Sequence, residues 1–223
     1  MEILGLEFVK FVQEFRNPFL DAFFRFLNYF DSLWFFAILV PVIWLRFGWK
    51  SGFRLFYILI ISYFSVHSLK AFFAIPRPYQ IDQSLGLIRA SHSGYAFPSG
   101  AATTVVLLSC ILISAWKSPW RYPVAFIYIF LISISRIYLG MHFLNDLIGG
   151  WVLGFALWLV YAYLFPLIEK CLNKMKPTTL LVISQAIPLL LLSFLHTYAA
   201  IVICGIAMAV ANGLFIWHRR MTK

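Results

Sequence analysis

Between residues 70 and 146 the chain carries side chains whose types and spacing suit chemistry on an anion. Lys70 and Arg77 are seven apart. On a helix that is two turns, so both can point at one spot. Arg77 precedes Pro78, which pushes its backbone toward an extended conformation. Two cations in an acid-poor stretch call for a negative partner. Pro98-Ser99-Gly100 reads as a helix start, where free N–H groups and the helix dipole bind phosphate-like groups. The serine adds a hydroxyl and the glycine permits close approach. Arg136 supplies a planar fork for paired oxygens. His142 and Asp146 are four apart, a spacing that puts both on one helix face. A carboxylate accepting from one imidazole nitrogen leaves the other as base or nucleophile.

Singly these are ordinary features. A basic residue near a span end snorkels, and a His–Asp pair four apart is a common helix contact. Three cations, a helix start and a His–Asp pair on one side of a membrane form a functional candidate.

The elements that must position them are membrane helices. Of 223 residues, 62% are apolar and 12% charged, against about 45–50% apolar in a soluble domain. Mean hydropathy is +0.87. A soluble globule and a disordered chain are both excluded. Stretches free of Asp, Glu, Lys and Arg suggest spans at 32–49, 53–75, 99–116, 121–139, 144–166, 178–195 and 197–217. The last two turn near His196–Thr197. Residues 2–29 differ, with Glu2, Glu7, Lys10, Glu14, Arg16, Asp21 and Arg25 among apolar residues at three- and four-residue spacing. They read as an amphipathic interfacial helix, broken at Asn17–Pro18, and not as a cleaved signal peptide. The expected fold is an all-α integral membrane protein. It has six to seven transmembrane helices plus the N-terminal amphipathic helix, in a single membrane domain over 1–223 with its bundle at 32–217. Gly150-x3-Gly154 permits close helix packing within the bundle. Cys110, Cys171 and Cys204 are widely spaced and read as free thiols.

The charges sort by side. Segments 46–54, 117–121, 169–176 and 218–223 hold eleven basic residues against Glu169 alone, a net of +10. The seven basic and seven acidic residues elsewhere balance. The basic side is cytoplasmic by the positive-inside rule, with the C-terminus on it. The basic character is thus a topology signal, and no nucleic-acid partner is expected. The residues from Lys70 to Asp146 fall on the neutral side, facing the periplasm or cell exterior. Arg89 and His92 lie in the loop there.

Lys70-x6-Arg77-Pro78, Pro98-Ser99-Gly100 and Ser135-Arg136-x5-His142-x3-Asp146, in this order and spacing, resemble the three-part signature of the type 2 phosphatidic acid phosphatase and vanadium haloperoxidase superfamily. The likeness spans the motif region 70–146. The composition favours the membrane lipid phosphatase branch. The resemblance implies that His142 attacks phosphorus to form a phospho-histidine and that Asp146 orients it. Lys70, Arg77, Ser99, Gly100 and Arg136 would cradle the phosphate. It implies no metal and no cofactor, and a lipid phosphate arriving laterally from the bilayer. Undecaprenyl pyrophosphate, phosphatidylglycerol phosphate, phosphatidic acid and a sphingoid base phosphate all fit.

One position departs. The family pattern continues Pro-Ser-Gly-His, with that histidine as general acid, and here the fourth residue is Ala101. General acid catalysis is worth about 10²–10⁴-fold, so the chain reads as a phosphatase disabled by substitution with its cradle intact. His92 takes the role only if its loop folds back. The rival readings are a lipid phosphotransferase and a non-catalytic lipid-phosphate binder or transporter. The charge split is open to test. A cysteine placed in the 79–97 loop should react with an impermeant thiol reagent in intact cells, and labelling only after lysis would overturn this topology.

Overall fold

The computed structural model describes residues 2–86, 94–172, 174–194 and 198–221. Every regular element among them is helical. Backbone packing divides the chain into two compact units, Met1–Tyr161 and Ala162–Lys223.

The first unit opens with α1 (Glu2–Glu14) and α2 (Pro18–Leu27). The break falls where the sequence put it. Asn17 is extended and its side chain accepts from Leu20 N, with Pro18 at the first helical position. A 3₁₀ turn, Asn28–Asp31, leads to α3 (Leu33–Phe47), and Gly48 at φ 87° ends that helix. Then follow α4 (Trp49–Phe73), the short α5 (Pro78–Ile81), α6 (Gly100–Ala115), α7 (Arg121–Tyr138) and α8 (Leu144–Leu159). A π-helical turn, Val160–Leu164, joins α8 to α9 (Phe165–Leu172). In the second unit α10 (Pro177–Phe194) packs on α11 (Tyr198–Met221). Gln185 Nε2 donates to Met208 O and Asn212 Oδ1, both at 3.4 Å. The three cysteines are free thiols.

Helices occupy each anticipated span, but fewer qualify as crossings than expected. Ser51–Ile81, Arg121–Tyr138 and Leu144–Cys171 are long and apolar enough, which is three among the described residues. A fourth arises if Pro18–Asp31 and Leu33–Phe47, bent by 53°, form one broken span. Three shorter apolar helical stretches, Gly100–Ala115, Leu181–Ser193 and Ala200–Val210, accompany these three or four candidate spans among the described residues. The N-terminal segment is two helices parted at Asn17–Pro18, as anticipated. Its second half runs through the 3₁₀ turn toward α3. Helix α6 falls short because it has 16 residues, roughly 24 Å. It packs against α4, α7 and α8. The turn at His196–Thr197 lies outside the described residues.

Two glycines of α8 let it lie directly on the backbone of α6. A Cβ on Gly150 would lie 2.6 Å from Ser99 O, and one on Gly154 would lie 2.3 Å from Thr103 O. The backbones of α6 and α8 therefore touch, so the Gly150-x3-Gly154 pattern serves bundle packing as anticipated. At the far end of α6, Arg121 Nη1 donates to Ile113 O and Trp116 O, both at 3.1 Å, satisfying carbonyls at the helix C-terminus.

Backbone oxygen cannot yield to a methyl group. Gly154→Ala is expected to cost about 1–3 kcal/mol, read as a lower melting midpoint in detergent. Gly213→Ala, whose Cβ meets nothing within 4 Å, should leave the midpoint unchanged. Equal midpoints for the two variants would remove the α6–α8 contact as a determinant of stability.

Candidate functional site

The predicted residues gather at one end of the first unit, where α4 and α7 end and α6 and α8 begin. Each arrives by a local device.

Arg136 sits in the last turn of α7 and is 2% exposed. The helix ends in a Schellman motif, with Gly140 N donating to Ile137 O at 2.9 Å and Met141 N to Arg136 O at 3.0 Å. Gly140 takes φ 70°, which favours glycine, and a Cβ there would lie 2.2 Å from Leu85 O. The motif reverses the chain so that His142 follows Arg136 back to the same end.

His142 and Asp146 meet, but not on one helix face. His142 precedes the N-cap, Phe143, so it lies outside α8. Asp146 Oδ2 accepts from Phe143 N at 2.8 Å, reaching back as in a capping box. The same oxygen lies 3.5 Å from His142 Nδ1. Both residues are buried. The four-residue spacing works because the chain bends at the cap. The contact engages Nδ1, and Nε2 is the ring's other nitrogen.

Ser99 is fully buried and caps α6. Its Oγ accepts from Ala102 N at 3.4 Å, and its carbonyl accepts from Thr103 N at 3.0 Å and Thr103 Oγ1 at 2.9 Å. Ser99 N donates to Asp146 O at 2.9 Å, tying the start of α6 to the start of α8. A Cβ on Gly100 would meet only Val66, at 3.5 Å. Protein packing therefore does not demand glycine at 100. Ala101, in the first turn, is buried in an apolar cluster with Phe24, Leu27, Tyr138 and Met141.

Lys70 and Arg77 converge by a different route from the two helical turns expected. Helix α4 stops at Phe73, and Ala74 takes φ 48°. Arg77 is extended, φ −83° and ψ 157°, as its proline neighbour requires. Lys70 Nζ donates to Tyr95 O at 2.6 Å and Ala96 O at 3.1 Å, and Arg77 Nε to Gly94 O at 3.0 Å. Ala96 N returns a bond to Ile75 O at 2.7 Å. The two cations thus pin segment 94–96 just ahead of the α6 cap. The charges of Lys70, Arg77 and Asp146 act on one another, and so do those of Arg77 and Arg136. Arg89 and His92 lie outside the described residues.

Donors remain unused. Arg77 Nη1, Arg136 Nε and Arg136 Nη2 are buried side-chain atoms that make no hydrogen bond among the described residues. A buried N–H without an acceptor costs about 1–3 kcal/mol, more when charged. Such a set suits a polyoxygen anion.

The sequence reading missed the N-terminal helices. Arg136 Nη1 donates to Asn28 Oδ1, and Nη2 lies 3.6 Å from Asp31 Oδ2. Tyr138 Oη donates to Asp21 Oδ1 at 2.7 Å, and Gln13 Nε2 donates to Leu85 O and Tyr138 O, each at 2.8 Å. Lys10 pairs with Asp82 at 2.9 Å. Hydrogen bonds from Ser84, then Lys10, hold the Asp82 carboxyl down at about 2, so this tether stays charged through the neutral range. The signal available in the sequence is the polar set Gln13, Asp21, Asn28 and Asp31 among apolar residues, which periodicity alone assigns to an amphipathic face.

Fold and site together define a helical membrane protein with buried guanidinium groups clustered beside a His–Asp pair. The profile of the PAP2 superfamily matches residues 51–170, more than half of the chain, and the chain belongs to that superfamily. It is similar to an undecaprenyl-diphosphatase of Sulfolobus acidocaldarius, 31% identical over 78 residues, 35% of this chain and 37% of that protein. A dihydrosphingosine 1-phosphate phosphatase of Schizosaccharomyces pombe is 30% identical over 165 residues, 64% of this chain and 38% of that one. The chain thus spans under two fifths of these curated relatives. The crystal structure of Aquifex aeolicus LpxE superposes with a TM-score of 0.63 at 28% identity, covering 71% of this chain and 94% of that one.

Arg77 holds Gly94 O with one nitrogen and keeps another unused, which a single ammonium cannot match. Arg77→Lys is expected to weaken orthovanadate binding by about tenfold or more, measured by calorimetric titration in micelles. Unchanged affinity would exclude Arg77 from the anion site.

Proposed function

We propose that the chain acts on the phosphate of a membrane lipid, a monoester or pyrophosphate, at the extracytoplasmic side. The carrying observation is the set of buried, unused guanidinium donors beside a His–Asp pair. Lys70, Arg77, Arg136, the Ser99 hydroxyl and the first-turn N–H groups beginning at Gly100 hold the phosphate oxygens. Gly100 leaves room for close approach. His142 Nε2 attacks phosphorus, forming the P–N bond as the bond to the leaving oxygen breaks. Asp146 at Nδ1 fixes the tautomer and balances the charge the ring gains. Water then cleaves P–N, releases inorganic phosphate and restores the imidazole. The +10 against 0 charge split supports the sidedness. The named activities of the curated relatives support phosphate chemistry on lipids of different tails.

The leaving oxygen needs a proton that Ala101 cannot give, so the first step is slow in this chain. Ala101 equally favours a second reading, a lipid-phosphate binder or carrier that never turns over. Phosphate release from a panel of lipid phosphates separates them. Ala101→His is expected to raise turnover by about 10²–10⁴-fold, and adding His142→Ala should abolish the gain. A histidine variant that stays silent on every lipid while phosphate binds would leave the binder. A gain that survives His142→Ala would exclude His142 as nucleophile.

A further inference from the structure

The Arg136 guanidinium commits one terminal nitrogen to a hydrogen bond and leaves its other edge without one. Nη1 is spent on the Asn28 carbonyl oxygen, with Met141 Sδ a weak second contact at 3.9 Å. Nε and Nη2 lie along the other edge, and neither makes a hydrogen bond among the described residues. That edge presents two parallel N–H groups, the arrangement that grips two oxygens of one phosphate. An unheld arginine can turn either edge to a ligand. With Nη1 tied to Asn28, only the Nε–Nη2 edge remains. Asp31, 3.6 Å from Nη2, is an ion-pair partner and too far to take a hydrogen bond. It supplies counter-charge and leaves the N–H groups free.

The position of Asn28 is itself built. It begins the 3₁₀ turn after α2, and its N–H closes that helix onto Phe24 O and Arg25 O. Helix α2 is held to the end of α7 by the Tyr138–Asp21 hydrogen bond and by the Phe24 ring against Tyr138, centroids 4.4 Å apart. Gln13 adds its bond to Tyr138 O, two residues from Arg136. These contacts come from residues 13–28, upstream of the 51–170 stretch that the superfamily profile matches.

We infer that Asn28 is a positioning residue for phosphate binding: it locks Arg136 so that the Nε–Nη2 edge faces the bound anion. The N-terminal helices thereby form part of the site. The inference rests on the proposed phosphate cradle.

The test is calorimetric titration of the full chain in micelles with orthovanadate, which needs no turnover. Asn28→Leu, which fills similar space without an acceptor, should weaken binding by about 10- to 100-fold, the range for a lost hydrogen bond to a charged group. Asn28→Gln keeps an uncharged amide acceptor and should bind closer to the parent than Asn28→Leu does. In an Arg136→Ala background, Asn28→Leu should cause no further loss, because it acts through that side chain. Asn28→Leu binding as tightly as the parent would overturn the inference. So would an equal loss with and without Arg136, which would mark a general structural effect. If the parent itself fails to bind orthovanadate, the cradle falls, and Asn28 falls with it. A parent that binds with variants that do not differ rejects Asn28 alone.

Discussion

The site depends on two helix backbones in contact. Between membrane helices little apolar driving force exists, and close packing of small residues takes its place. Gly150 and Gly154 let α8 lie against the first turns of α6, with carbonyl oxygens where Cβ atoms would otherwise stand. That approach brings Ser99 N within 2.9 Å of Asp146 O. Everything chemical hangs on this joint. The α6 cap and its first-turn N–H groups are on one side of it. Asp146 is on the other, and its carboxylate holds the Phe143 N–H and sits beside His142. A displacement of α6 along α8 would separate the Ser99-capped first turn from the imidazole, although neither helix carries both.

Around that joint the protein buries more positive charge than its own groups satisfy. An ion removed from water keeps its charge only where partners replace the lost hydration. Lys70 and Arg77 meet part of this need with the carbonyls of Gly94, Tyr95 and Ala96. Arg136 meets it with Asn28 and Asp31. These partners stop short of saturation, since three guanidinium nitrogens keep N–H groups with no acceptor among the described residues. Water competes for such donors at an open surface, whereas burial preserves their strength for a ligand. The preorganisation has a structural cost. Carbonyls from loop 94–96 and side chains from residues 28–31 are held in place to support cations that point elsewhere.

Much of this was legible in the sequence where chemistry and spacing coincide. Lys70, Arg77, Ser99, Arg136, His142 and Asp146 are separated by intervals that survive any reasonable placement of helix ends, and they do converge. The route to convergence was less legible. His142 reads as helical from its distance to Asp146, yet the Schellman turn at Gly140 and the cap at Phe143 put it outside α8. Arg77 reads as two turns past Lys70, yet Ala74 ends the helix first. Both errors have one origin: periodicity assumes a continuing helix, whereas caps and turns redirect the chain at the helix ends where these residues meet. Hydropathy likewise measures apolar length and not helix ends: α6 is apolar but has 16 residues, starting at the Ser99 cap. The reach of Asn28 and Asp31 to Arg136 crosses more than a hundred residues of sequence, and no local pattern encodes such a pairing.

Alanine at position 101 divides functions that usually travel together. Its methyl group lies in the apolar cluster with Phe24 and Leu27 of the N-terminal segment and Tyr138 and Met141 of the α7–α8 turn. On the proposed reading the first turn of α6 holds the phosphate through backbone N–H groups, so the side chain at 101 can change without weakening that hold. On the proposed mechanism, what alanine removes is the proton for the leaving oxygen, a contribution that exists only as the bond breaks. Interactions made equally in the bound and transition states raise affinity and not turnover. The cradle, with its buried cations and the Arg136 edge fixed by Asn28, is largely of that kind, and the missing acid is of the other. On that proposal the chain would hold a lipid phosphate against a poised imidazole and seldom complete the transfer. The proposed nucleophile, its orienting carboxylate and the cradle all stay in place when a single proton-transfer step is taken away.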